Sequence, residues 1–109
     1  MYFIVKTVEV AACHRVTSER GSKCENLHGH NWIITVHCKS DRLDEDGMVV
    51  DFSQIKKIIS DKLDHKNLND VFNFSPTSEN IAKWLVEHIP FCYRASVRES
   101  SSSEAIYEI

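Results

Sequence analysis

The sequence lacks a long apolar run, a Cys-x-x-Cys pair, a basic block and an internal repeat, and each absence removes a class of function. No apolar stretch approaches the roughly 20 residues that cross a bilayer, so no membrane association is expected. The start, Met1-Tyr2-Phe3-Ile4-Val5-Lys6, has no basic segment followed by an apolar core, so no secretory signal is expected. The four cysteines, Cys13, Cys24, Cys38 and Cys92, have no zinc-ribbon or thioredoxin spacing. Without secretion they should be reduced, in a cytoplasmic protein. Basic residues never run beyond two, and the net charge is −3, which gives no pull toward nucleic acid. Apart from Ser100 to Ser103 there is no low-complexity tract.

What is present fits a single domain over residues 1–109 with a modest core. Residues 2–14 read as a strand, with Tyr2, Ile4, Val8, Val10 and Ala12 on one parity and His14 next in line. The polar stretch 15–26 reads as a loop. Residues 28–39 read as a second strand, with Trp32, Ile34, Val36 and Cys38 sharing the parity of His28 and His30. The acidic turn Asp41 to Gly47 ends it. A helix is expected from about Asp51, capped by that carboxylate, to Leu63–His65, with Phe52, Ile55, Ile58, Ile59 and Leu63 at helical spacing. Asn67 to Asn73 reads as a connection. A second helix starts in Ser75-Pro76-Thr77-Ser78-Glu79, with Ser75 or Thr77 as cap, and stops at Pro90. Residues 91–99 and Glu104 to Ile109 read as two more strands around the serine turn. The expected architecture is α+β, order ββααββ, a four-stranded antiparallel sheet with two helices on one face. Its open edges invite pairing between subunits, so an oligomer is expected.

Six histidines is a high number for this length, and three are placed to hold a metal. His28-Gly29-His30 on a strand sets two imidazoles on one face, about 7 Å apart along the backbone. His14 on a neighbouring strand supplies a third nitrogen. Three protein ligands and an open position suit a catalytic zinc, whereas a structural zinc is usually closed by four. A closed site with Cys24 as fourth ligand remains an alternative on spacing alone, as do plain polar strand residues for His-x-His by itself. Cys24 lies in a polar loop close to histidines, where reactive thiols occur. Cys13, Cys38 and Cys92 lie in apolar patterns and read as core residues. Asp64-His65 reads as a carboxylate orienting an imidazole for proton transfer, although an adjacent Asp-His taken alone is more often a solvated helix end. His37 and His88 have no partner group in sequence.

These motifs occur together in one known pattern. Cys24-x-x-x-His28-Gly29-His30-Asn31, Gly47-Met48-Val49-Val50-Asp51-Phe52, Leu63-Asp64-His65-x-x-Leu68-Asn69, Pro76-Thr77-Ser78-Glu79-Asn80 and the late Glu99 resemble, in that order, the 6-pyruvoyl-tetrahydropterin synthase family. Val10-Ala11-Ala12-Cys13-His14-Arg15 resembles its aromatic-x-Ala-Ala-His-Arg element, with Val10 for the aromatic and Cys13 for the second alanine. The resemblance implies the tunnelling fold (T-fold), in which sheets of several subunits join into a barrel and trimers stack as hexamers, with active sites between subunits. It implies one zinc per subunit on His14, His28 and His30. It implies Cys24 as general base, Asp64 and His65 as its proton-transfer partners, and Glu99 as the anchor of a pterin ring. A carboxylate suits that last role because it accepts two hydrogen bonds at once. Glu104 is the local competitor for it.

The implied substrate is 7,8-dihydroneopterin triphosphate. One activity in the family yields 6-pyruvoyl-tetrahydropterin. Another yields 6-carboxy-5,6,7,8-tetrahydropterin with loss of acetaldehyde, on the way to queuosine and other 7-deazapurines. The Cys24 to His30 stretch looks more like the second type. A zinc- or pterin-binding module without catalysis is the alternative of another class. Arg15, Arg20, Lys23 and Lys66 are the cations near the motifs that could meet a triphosphate.

Overall fold

The computed structural model describes residues 1–17 and 26–109. The alternating apolar pattern of the first forty residues folds into a long antiparallel hairpin, β1 (Tyr2–His14) against β2 (His28–Ser40). The register runs without a break from Tyr2 opposite Ser40 to His14 opposite His28. No bulge interrupts the period of two, so Val8, Val10, Ala12 and His14 are buried on one face, as are Trp32, Ile34, Val36 and Cys38.

Helix α1 (Phe52–Leu63) begins where Asp51 accepts a hydrogen bond from the Ser53 N–H, which satisfies one of the free donors of the first turn. It buries Ile55, Ile59 and Leu63. Helix α3 (Ser78–His88) is capped by Thr77, whose hydroxyl accepts from the Asn80 N–H, and it buries Ile81, Ala82, Leu85 and Val86. Both helices pack on the face that carries Val10, Trp32, Ile34 and Val97, forming one apolar core with them. Each fully buried Leu or Ile there is worth roughly 1.5–3 kcal/mol of transfer free energy. After α3 the chain returns as β4 (Cys92–Ser100) and β5 (Ser103–Glu108), both antiparallel to their neighbours.

The architecture is α+β, but it holds five strands and three helices, not four and two. The additions lie in the segment expected to be a plain connection. There β3 (Lys66–Asn67) runs parallel to β1, with Ala12 opposite Lys66 and Cys13 opposite Asn67. The His65 N–H, 2.7 Å from the Ala11 carbonyl, starts this pairing. One turn of helix, α2 (Leu68–Val71), follows, capped by the Asn67 side chain. The sheet order is β3-β1-β2-β4-β5. It puts the ends of β1, β2 and β4 that carry His14, His28, His30 and Glu99 side by side. Among the described residues no helix is long and apolar enough to cross a membrane.

Candidate metal centre and active site

Because His14 pairs with His28 and the strand period holds, all three imidazoles project from one end of the hairpin onto its buried face. One nitrogen from each of His14, His28 and His30 lies within 4.8 Å of the others. The indole of Trp32 forms the floor, with ring centroids 4.8 Å from His14 and 5.2 Å from His30. Its N–H donates to the Ala12 carbonyl at 3.1 Å, which fixes the ring across the two strands.

The hydrogen bonds of the rings decide what the cluster can hold. His14 Nδ1 is 2.7 Å from the Pro76 carbonyl, and His28 Nδ1 is 2.6 Å from the Asn26 carbonyl. A carbonyl oxygen only accepts, so both Nδ1 atoms carry the proton and both Nε2 atoms present lone pairs. Those two Nε2 atoms are 3.1 Å apart, with no proton between them in the neutral rings. The third, His30 Nε2, is buried without any hydrogen-bond partner. A protonated ring would relieve the repulsion, but burial is the largest influence on His14 and holds its pKa below the ordinary value. A cation that accepts three nitrogen donors relieves all three. Two nitrogens bound tetrahedrally at 2.0–2.1 Å would stand about 3.3 Å apart, close to the spacing of the first pair. The residues therefore fit a metal ion, with carbonyls behind two ligands fixing their tautomers.

Glu99, near the end of β4, brings a carboxylate to the same place. Its Oε2 is 3.7 Å from both His14 Nε2 and His30 Nε2, and its side chain is 31% exposed. Both distances are too long for hydrogen bonds, and they leave the carboxylate free to accept from a ligand. Glu99 also borders a cleft of about 340 Å³ lined by Ser78, Glu79, Ser103, Glu104 and Ala105. Glu104, by contrast, is engaged: its Oε2 accepts from Ser96 Oγ at 2.7 Å and from Arg98 at 3.1 Å. The carboxylate beside the histidines is Glu99.

Asp64 and His65 form a separate corner. Asp64 ends α1, and its Oδ1 accepts from the Ala11 N–H of β1 at 2.9 Å. His65 follows with a φ of 58°, a left-handed conformation that turns the chain into β3. Its ring is 83% exposed, and its Nε2 lies 3.7 Å from Asp64 Oδ2. No hydrogen bond or ion pair among the described residues joins this corner to the three histidines. His65 and Lys66 wall an open groove of about 530 Å³ that Ala11, Cys13, Gly29, His30 and Asn31 also line. Next to it Asn69 grips Arg15 at both ends, accepting from its N–H at 2.8 Å and donating to its carbonyl at 3.0 Å.

The expected site residues thus divide into groups. His14, His28 and His30 come together, and Glu99 joins them. Asp64 and His65 meet each other and stand apart. Cys24, Arg20 and Lys23 lie outside the described residues. Three participants escaped the sequence reading: the Pro76 and Asn26 carbonyls, because a backbone atom has no residue signature, and Trp32 as floor, whose shared parity with the histidines was a usable signal.

The family model described as 6-pyruvoyl tetrahydropterin synthase matches residues 3–109. A 6-carboxy-5,6,7,8-tetrahydropterin synthase of Synechocystis is 37% identical, over 98% of this chain and 93% of its own. A protein of the same name from Bacillus subtilis is 30% identical, over 94% of this chain and 82% of its own. The 6-pyruvoyl tetrahydropterin synthase structure of Caenorhabditis elegans superposes with a TM-score of 0.76 at 27% identity, covering 98% of this chain and 94% of that one. The match along nearly the whole chain, together with the shared T-fold, makes this chain a member of the 6-pyruvoyl tetrahydropterin synthase family.

Proposed function

We propose that the chain converts 7,8-dihydroneopterin triphosphate to 6-carboxy-5,6,7,8-tetrahydropterin, releasing acetaldehyde and triphosphate, in 7-deazapurine synthesis in the cytoplasm. The observation that carries the reading is the convergence of three imidazole lone pairs, two fixed by carbonyls and one without a partner, beside a free carboxylate. The names of the relatives from Synechocystis and Bacillus subtilis support the carboxy-forming reaction over others of the family. His14, His28 and His30 would hold one zinc ion per subunit, which would supply Lewis-acid polarisation of a substrate side-chain hydroxyl.

The chain's own groups do the rest. Glu99 accepts two hydrogen bonds from the amino and N–H edge of the pterin ring, and so sets the side chain against the histidine cluster. Cys24, as thiolate, removes a carbon-bound proton next to the polarised hydroxyl. His65 receives and returns protons, and Asp64, held by the Ala11 N–H, orients it. Loss of triphosphate and tautomerisation move the reducing equivalents into the ring, and water then adds to the first side-chain carbon while its bond to the second breaks, leaving the carboxyl on the ring and acetaldehyde, so no external reductant takes part. Arg15, Arg20, Lys23 and Lys66, near the motifs in sequence, are the cations that could meet the triphosphate. The exposed corner at His65 supports a site completed by a second copy, in a barrel of subunits stacked as a dimer of trimers.

The deciding experiment measures metal content and incubates the protein with 7,8-dihydroneopterin triphosphate. Acetaldehyde and a carboxypterin product with one zinc per chain are expected. A pyruvoyl product without acetaldehyde would assign the other family activity. Tight pterin binding without turnover would make the chain a binding module.

A further inference from the structure

We propose that Cys38 and Cys92 are a reversible dithiol–disulfide couple that staples β2 to β4, with hydrogen peroxide as the oxidant. The register of the two strands shifts between His37 and Cys38, and beyond the shift Cys38 stands directly opposite Cys92. The next pair outward, Lys39 and Phe91, is joined by a hydrogen bond of 3.0 Å from the Lys39 N–H to the Phe91 carbonyl. Hydrogen-bonded and non-hydrogen-bonded pairs alternate in an antiparallel ladder, so Cys38 and Cys92 occupy a non-hydrogen-bonded pair. There the Cα atoms stand about 4.5 Å apart and the side chains are at their closest, within the roughly 4.4–6.8 Å that a disulfide spans. Tyr93 is the extra residue that sets this register. Without the bulge, Cys38 would face Tyr93.

Both side chains enter the core. Cys38 is fully buried, and Cys92 is 7% exposed. The thiols act on each other: Cys92 is the largest cause raising the Cys38 pKa, and Cys38 is the largest cause lowering that of Cys92. Cys92, the more exposed of the two, gives up its proton and attacks as the thiolate. Its sulfur takes one oxygen of peroxide as the O–O bond breaks, leaving a sulfenic acid and hydroxide. The hydroxide takes the Cys38 proton. The Cys38 sulfur then attacks the Cys92 sulfur, the S–S bond forms, and the S–O bond breaks to release hydroxide. That hydroxide takes up the proton first lost by Cys92. Two thiols are oxidised and one peroxide is reduced to two waters. A molecule as small as peroxide suits a thiol this enclosed.

The link closes the chain that carries α1, β3, α2 and α3 between the two strands. His30 and Glu99 lie 3.7 Å apart at the other end of the same strand pair. The test treats the folded protein with hydrogen peroxide, then quenches, unfolds, alkylates and maps peptides by mass spectrometry without reductant. A peptide joining Cys38 to Cys92 is expected, lost on adding dithiothreitol. It should bring a rise in melting temperature on the order of 10 °C over the reduced protein. Cys92→Ala should give neither the link nor the rise, and if that variant does not fold, the wild-type map decides alone. Free alkylation of both cysteines after peroxide, a link to Cys13 or Cys24, or irreversible acid at Cys92 would overturn the couple. An unchanged melting temperature with the link in place would overturn its role as a staple.

Discussion

The three histidines and the Asp64–His65 pair are the two motifs with the most obvious chemistry, and the fold treats them in opposite ways. The histidines sit on paired strands and face the core, and backbone carbonyls set the tautomers of His14 and His28. Asp64 and His65 sit at the end of a helix, on the outer side of β1, in a left-handed turn with the ring in solvent. The first is fixed from within, in an arrangement that fits a metal ion. The second is fixed at its base, through the Ala11 N–H, and lacks whatever it acts on. The difference teaches that burial and backbone carbonyls can order one cluster for a ligand from within, whereas the exposed pair depends, under the proposed function, on a neighbouring copy to complete its site.

The largest effect should come from breaking the histidine cluster. His28→Ala removes one of three ligands and the partner of the 3.1 Å contact with His14. Zinc should fall well below one per chain by elemental analysis. Turnover should fall about 10³-fold or more, since several kcal/mol of charge stabilisation go with the ion. Full activity in a metal-free variant would sink the zinc role. Cys24→Ala should keep its zinc and lose about 10²–10⁴-fold in kcat, the usual contribution of a positioned base. If it lost zinc in parallel with activity, the closed four-ligand site would be correct.

The exposed pair is tested by mixing. Asp64→Asn should retain zinc and lose activity, by a smaller factor than His28→Ala because the ring it orients remains. Co-expressed with His28→Ala, it should recover activity at roughly a quarter of interfaces, those where one subunit brings intact histidines and its neighbour an intact Asp64. No recovery in mixed oligomers would mean that each chain completes its own site. Glu99→Gln sharpens the line between metal and substrate. A carboxylate that anchors a ring should give a kcat/KM lower by roughly 10- to 100-fold, the loss of charge-assisted hydrogen bonds, with zinc content unchanged.

How the two regions were legible in the sequence follows from their physics. The hairpin was readable residue by residue, because an unbroken period of two carries Val8, Val10 and Ala12 onto His14, and Trp32 back onto His30. Burial of one face enforces that register. Both long helices were readable from their stripes and caps. The Lys66–Val71 segment was not, because two residues of parallel strand and one turn of helix have no periodicity. What orders it is the His65 N–H on the Ala11 carbonyl and the Asn67 cap. The closeness of Glu99 to the histidines depends on β4 lying next to β2, a sheet order that local pattern does not encode. The opposition of Cys38 and Cys92 depends on a bulge at Tyr93, which also leaves no local mark.

Acid should separate the regions without mutation. The pKa of His14 in the folded, metal-free protein is depressed below 6.5 by burial, so the folded state resists a proton that the unfolded chain accepts. This contribution is complete above pH 6.5 and is lost as the pH falls from there through the lower folded value. Denaturant midpoints of the metal-free protein should therefore drop on that acid side. Bound zinc should hold them up until the ligands release it.

The smallest effect belongs to the support of the first region. Thr77 caps α3 through its hydroxyl on the Asn80 N–H, and the preceding residue, Pro76, supplies the carbonyl that orients His14. Thr77→Ala removes the cap and should cost about 1 kcal/mol in chemical unfolding. Proline fixes its own φ, and Asn80 Nδ2 holds the Ser75 carbonyl at 2.9 Å, so the Pro76 carbonyl has support that does not pass through Thr77. Zinc content and kcat should then stay within a factor of about two. A tenfold loss of metal affinity, the size expected when a group behind a ligand is lost, would show instead that the cap holds His14 in place through the single residue between them.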